Sequence, residues 1–232
     1  MLGDYPVKVK ELREMPVFDR LTEAQLECLA RVMIRRTYAA GESIFLEGDP
    51  AAGVWFVVNG QVRIIKESLS GRVQGLCVMN SKKCFGTCPL FDGDTNLANA
   101  MAVTEVTLAV LPGADLQRLI YEEPQLTQAL LQVSSQRLAH IAHLSETLGA
   151  WTVSWRINDC LLTYAVSSDG HLVVPMTHER LAEFAGTARE VVTRYLSQLE
   201  DHGIIRMEAG RIIIFKIDEL GCPSNLTLQS SV

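Results

Sequence analysis

Two arginines and a glutamate stand together late in the chain, in Arg189-Glu190-Val-Val-Thr193-Arg194. Arginine can give guanine O6 and N7 a paired hydrogen bond, and glutamate can accept one from cytosine N4. At helical spacing Val192, Leu196 and Leu199 turn toward a core, while Arg189, Glu190, Thr193 and Arg194 fall elsewhere, near the helix start. That is where a helix lying in a major groove meets base edges. A solvated, salt-bridged face is the plain alternative, because Glu190 and Arg194 are an i,i+4 pair. The wider order favours the groove. Leu181–Ala185 is helical, Gly186 interrupts, Ala188–His202 is helical again, Gly203 closes it, and Ile204–Glu208 with Arg211–Ile217 form a hairpin. Helix, glycine, helix and wing make a winged helix-turn-helix. Thr177 caps the first helix and Ala188 precedes the second, so the DNA-binding candidates are Arg189, Glu190, Thr193, Arg194, Thr177 and Ala188.

A second group could bind a metal or sense redox state. Cys77, Cys84 and Cys88 concentrate in one stretch, with Cys84-x3-Cys88 at its centre. Thiolates ligate iron–sulfur clusters and zinc and are the reactive form in thiol switches. The spacing matches no standard cluster motif, but Lys82 and Lys83 could lower the pKa of Cys84. His140 and His143, three residues apart on a helix, could ligate a haem iron. Cys28 and Cys160 read as small core residues, and Cys222 as inert. No nucleophile elbow, phosphate loop or zinc-protease motif is present, and all five histidines lie beyond residue 139, so no enzyme is expected.

The elements around these residues come in three textures. Residues 10–35 have helical periodicity through Leu21, Leu26, Leu29 and Met33, with Thr22 as a cap. From Glu42 to Leu111 short β runs alternate with turns, including Val54–Val58 and Val62–Lys66 around Asn59-Gly60, a strong hairpin signal. Leu116 to about Trp151 is one long helix, on which Ile141, Leu144, Leu148 and Trp151 recur at 3, 4, 3 spacing, the seam of a coiled coil. The expected fold is therefore α+β: a β-roll or jelly roll, a long dimerisation helix and a winged helix-turn-helix. The domains are residues 1–113, 114–152 and 153–220, with a loose tail at 221–232.

Net charge is −6, which argues against a nonspecific polyanion binder. Residues 151–232 hold seven Arg and Lys against ten Asp and Glu, so few phosphate contacts per subunit are expected. There is no apolar run of about 20 residues to span a membrane, and the start does not look like a secretory signal. A cytoplasmic protein with no membrane partner is expected.

Over about residues 12–220 the chain resembles the CRP/FNR family of bacterial regulators. The roll carries Gly41-Glu-Ser-Ile-Phe45, Glu47-Gly48-Asp49-Pro50, Trp55-Phe-Val-Val and Gly60-Gln-Val62; the DNA half carries Gly186-Thr-Ala-Arg189-Glu190-Val-Val-Thr-Arg194. The resemblance implies a cyclic-nucleotide-binding-like roll and a homodimer. It also implies double-stranded DNA with an inverted repeat of TGTGA-like half-sites as target, and RNA polymerase as partner. Ala188 stands where the family usually has serine.

The nucleotide-holding residues depart from that pattern. The family's Phe-Gly-Glu turn reads Phe85-Gly86-Thr87 here, and its Arg-Ser or Arg-Thr reads Asn96-Leu97. No Lys or Arg occurs from Cys84 to Gln117, and a buried phosphate without a cation is costly. Cyclic AMP is therefore not the expected effector. A thiol or metal switch, a haem or iron–sulfur group, or a small organic molecule remain open, as does no cofactor at all. The effector pocket would involve Phe85, Gly86, Thr87, Cys88, Asn96, Leu97 and Ile141. The rival reading is a ligand-binding regulatory module with a vestigial pocket and no direct transcriptional role.

Overall fold

The computed structural model of the chain describes residues 6–86, 95–168 and 170–221. It comprises two compact units, Met1–Ile141 and Ala142–Val232.

The first unit opens with α1 (Val9–Arg13) and α2 (Glu23–Val32). Thr22 caps α2 reciprocally: its hydroxyl accepts from the Gln25 N–H, and its own N–H donates to Gln25 Oε1 at 2.8 Å. There follow β1 (Ile34–Tyr38), β2 (Ser43–Phe45), β3 (Gly53–Asn59), β4 (Gln61–Glu67), β5 (Val73–Asn80), β6 (Cys84–Phe85), β7 (Asn99–Ala102) and β8 (Val106–Pro112). Among the described residues these strands form two antiparallel sheets, ordered β1-β8-β3-β6 and β2-β7-β4-β5. Strands far apart in sequence pair with one another, as the roll topology requires. β3 explains its own unbroken apolar run: Val54 and Phe56 pack with Phe18, Leu26 and Leu116 on one side of the sheet. Trp55 and Val57 pack with Val62, Phe85 and Leu108 on the other, so the strand is buried on both faces.

Two expectations are corrected here. Asn59-Gly60 is not a hairpin turn, because β3 and β4 belong to different sheets. Gly60 has φ +96°, and a Cβ there would lie 2.4 Å from the Glu105 carbonyl oxygen. The glycine serves a close-packed corner where the chain crosses between sheets. The long helix after the roll is also two helices, α3 (Gly113–Glu122) and α4 (Pro124–Ala150). Pro124 is the cause: the residue before a proline is pushed out of the α region, and Glu123 has ψ +83°.

The second unit contains α5 (Val153–Thr163), β9 (Val166–Ser168), β10 (His171–Val174), α6 (His178–Ala185), α7 (Arg189–Asp201), β11 (Ile205–Glu208) and β12 (Arg211–Ile214). Its antiparallel sheet is ordered β11-β12-β10-β9. β9 is too short and too exposed to have been read from sequence.

Candidate nucleic-acid interface and sensor-side residues

Thr177 caps α6, its hydroxyl accepting from the Arg180 N–H at 3.2 Å. Gly186 ends α6 in the left-handed region, φ +62° and ψ +43°, and its N–H donates to the Ala182 carbonyl. The Arg156 guanidinium, from α5, donates to the Gly186 carbonyl at 3.3 Å and so braces the turn. α7 begins immediately after. Val192, Leu196 and Leu199 are buried, whereas Ala188, Arg189, Glu190, Thr193 and Arg194 are exposed. No ion pair joins Glu190 to Arg194 among the described residues. Ala188 gives α7 no side-chain cap.

Two contacts that sequence reasoning missed set the position of α7. The Tyr195 hydroxyl donates to Asn158 Oδ1 of α5 at 3.0 Å, and Asn158 Nδ2 donates to the Gly221 carbonyl at 2.8 Å. His178 Nδ1, at the start of α6, lies 3.0 Å from Thr193 Oγ1 of α7. The wing follows, β11 and β12 turning at Gly210, φ +74°. Phe215 beyond it stays exposed, with the Arg206 guanidinium 5.1 Å from its ring centroid.

In the first unit, Phe85 lies in the roll interior beside Trp55 and Phe45, and Asn96 is only 3% exposed. Asn96 Oδ1 and Trp55 Nε1 are buried without a hydrogen-bond partner among the described residues. Leu97 and Ile141 are exposed. Thr87 and Cys88 lie outside the described residues.

A cation missing from the strand sequence arrives from α4. Arg137 donates to the Gly86 carbonyl at 3.1 Å and to the Cys84 carbonyl. The one available signal was helical spacing, which puts Arg137 one turn before His140 and Ile141. His140 Nε2 lies 2.8 Å from the Leu76 carbonyl. Leu76 is the residue skipped at the β4–β5 bulge, where Ile64 pairs with Cys77 and Ile65 with Gly75. A carbonyl only accepts, so this nitrogen carries the proton.

The two described sulfur candidates of the roll, Cys77 and Cys84, lie in different sheets. Cys77 lies in the β5 sheet and Cys84 in the β6 sheet, where Cys84 packs in the cluster of Phe18 and Leu126. Burial raises the Cys77 thiol to about 11 and also raises that of Cys84; Arg137 offsets part of each shift, and Lys83 part of the second. The expected lowering by Lys82 and Lys83 is thus reversed: desolvation prevails, and Lys82 pairs with Glu14 at 3.5 Å. His143 Nε2 lies 3.3 Å from the Asp159 carboxylate, and its ring meets Trp151 edge-on. Among the described residues no three His, Cys, Asp or Glu side chains gather as a metal set.

A jelly-roll unit with a winged helix-turn-helix defines a class of transcription regulators. The cyclic nucleotide-binding domain model matches residues 35–123, and the Crp-like helix-turn-helix domain model matches residues 156–222. The chain is 30% identical over 186 residues to the Global nitrogen regulator of Synechococcus elongatus, covering 77% of this chain and 84% of that one. It is 28% identical over 201 residues to the Cyclic AMP receptor protein of Thermus thermophilus, covering 87% and 93%. The solved structure of FixK2 from Bradyrhizobium japonicum superposes with a TM-score of 0.73 at 26% identity, covering 82% of this chain and 96% of that one. The chain belongs to the CRP/FNR family of transcription regulators.

Proposed function

We propose that the chain works as a cytoplasmic homodimer that binds an inverted DNA repeat and acts on RNA polymerase, under an effector other than cyclic AMP. The observation that carries the DNA-binding reading is the exposed face of α7. Arg189, Glu190, Thr193 and Arg194 stand clear of the core at the start of the helix, beside a wing. The dimer reading rests on α4, where Leu131, Leu138, Ile141 and Leu148 are exposed at spacings of 7, 3 and 7. Of the sequence-predicted seam, Ile141 and Leu148 belong to this stripe; Leu144 and Trp151 are half-buried.

On the effector side, Asn96 occupies the place where a nucleotide phosphate would need a cation. The high thiol pKa of Cys77 and Cys84 weighs against a thiolate switch at these two residues. Arg137, half-buried on α4, brings a cation to the Cys84 and Gly86 carbonyls beside the roll, which favours an acidic organic effector. His140, with Nε2 engaged at Leu76, is a poorer haem ligand than its sequence suggested.

The test is selection from a random-sequence duplex pool by the full chain, followed by binding of the recovered duplex. An inverted repeat bound by the wild type and lost in Arg189→Ala supports the reading. Enrichment of no sequence at all contradicts it. A visible absorption spectrum of anaerobically purified protein separates the effector classes: haem or cluster bands would overturn the organic-ligand reading.

A further inference from the structure

His178 was not among the sequence-predicted contacts, yet it touches the element that carries them. It is the first residue of α6, half-buried, and its Nδ1 is 3.0 Å from the hydroxyl of Thr193. Thr193 shares the exposed face of α7 with Glu190 and Arg194 and is one turn from Arg189. The imidazole is therefore fixed at the edge of the DNA-reading face. Its second nitrogen, Nε2, has no hydrogen-bond partner among the described residues.

We propose that His178 is a DNA phosphate contact and that it takes up a proton when the chain binds DNA. The inference rests on the DNA-binding reading above. A ring held at Nδ1 presents Nε2 as the group that can donate to a phosphate oxygen, and a protonated ring donates from both nitrogens. In the free chain burial lowers the tendency of His178 to be charged, and the neighbouring Arg189 lowers it further. Among the described residues the other charged group acting on it is Glu200, also on α7, which opposes this shift. A phosphate arriving beside Arg189 and His178 neutralises that repulsion and supplies an anion, so the charged ring is favoured only in the complex. Because this C-terminal unit is acidic, each added cation has a large share in holding the DNA backbone.

The experiment measures affinity of the full chain for the duplex recovered by the selection described above, at low salt, from about pH 8 to pH 6 around the ordinary histidine range. The wild type should gain about five- to tenfold in affinity as pH falls. His178→Gln, which keeps a partner for Thr193 but cannot be charged, should lose most of that gain. His178→Arg, charged throughout, should bind at pH 8 at least as tightly as the wild type at pH 6 and show a flat profile. A wild-type slope retained in His178→Gln would overturn the proposal, as would His178→Arg binding no better than His178→Gln at pH 8. Circular dichroism and the thermal midpoint report folding of each variant. If neither variant folds, the His178 ring resonance followed by NMR with and without duplex decides: a higher titration point with DNA supports the proposal, and an unchanged one overturns it. Failure of the wild type to bind any duplex would instead remove the DNA-binding reading itself.

Discussion

Asn158 and Tyr195 form one hydrogen bond, 3.0 Å long, between a buried amide of α5 and the phenol of α7. Asn158 is 3% exposed and its other polar atom is taken by the Gly221 carbonyl. Replacing it by alanine leaves a phenol and a carbonyl without their partner. Asn158→Ala should destabilise the C-terminal unit by about 1–3 kcal/mol. Urea unfolding followed by fluorescence of Trp151 and Trp155 checks this, and an unchanged midpoint would show that water replaces the amide without loss.

Arg189→Ala and Arg194→Ala should each weaken binding of the selected duplex by about 1–3 kcal/mol if they bond guanine. Such loss is confined to particular positions of the half-site, whereas a lost phosphate contact weakens all sequences alike. Anisotropy titrations against duplexes mutated one base pair at a time separate the two. The salt slope of the wild type should stay modest.

The thiol of Cys77, pushed up to about 11 by burial, is almost wholly protonated at neutral pH. In a variant retaining only this cysteine, alkylation by iodoacetamide at pH 7.5 should be far slower in the folded chain than in urea. Equal rates would place a reactive thiolate in the roll and revive a redox switch there.

Glu11 pairs with Arg35 at 2.8 Å. Burial alone would raise its pKa, but the bonds from Arg35 and from the Lys8 N–H outweigh this and hold it below the ordinary 4.5. A carboxylate whose folded pKa is depressed adds stability above its unfolded value, and this is lost as pH falls through the folded one. The stability of the first unit should thus decline below about pH 4.5, and Glu11→Gln should decline less while being less stable at pH 7. Thermal midpoints across this range test it.

Leu138→Glu, placed on the exposed α4 stripe at a residue 69% accessible in one chain, should convert a dimer to monomers. Sedimentation velocity reads this directly. A dimer that survives the change lies on another surface.

How much of this was legible in the sequence depended on how local the information was. Thr22 and Thr177 announce their helices because a cap acts over three residues, and the helix-turn-helix is readable because Gly186 separates two short amphipathic runs. Asn59-Gly60 misled, since a turn dipeptide does not say whether its flanking strands pair with each other or with β8 and β7. The break at Pro124 was hidden inside an otherwise continuous apolar periodicity. Arg137 was invisible to a count of charges along the strands, because it reaches Gly86 from 51 residues away. The contacts of His178 with Thr193 and of Asn158 with Tyr195 join separate helices, and neither partner carries a mark of the other.

Alanine at position 188 gives α7 no side-chain acceptor for the amides of its first turn. A serine, threonine or aspartate there would stabilise the free chain by about 0.5–2 kcal/mol. With alanine, the amides of Arg189 and Glu190 are left to water or to an arriving anion. On the proposed DNA-binding reading, the backbone phosphate of any duplex completes that turn, so the finishing of the helix start belongs to docking and the choice of sequence to the side chains it carries.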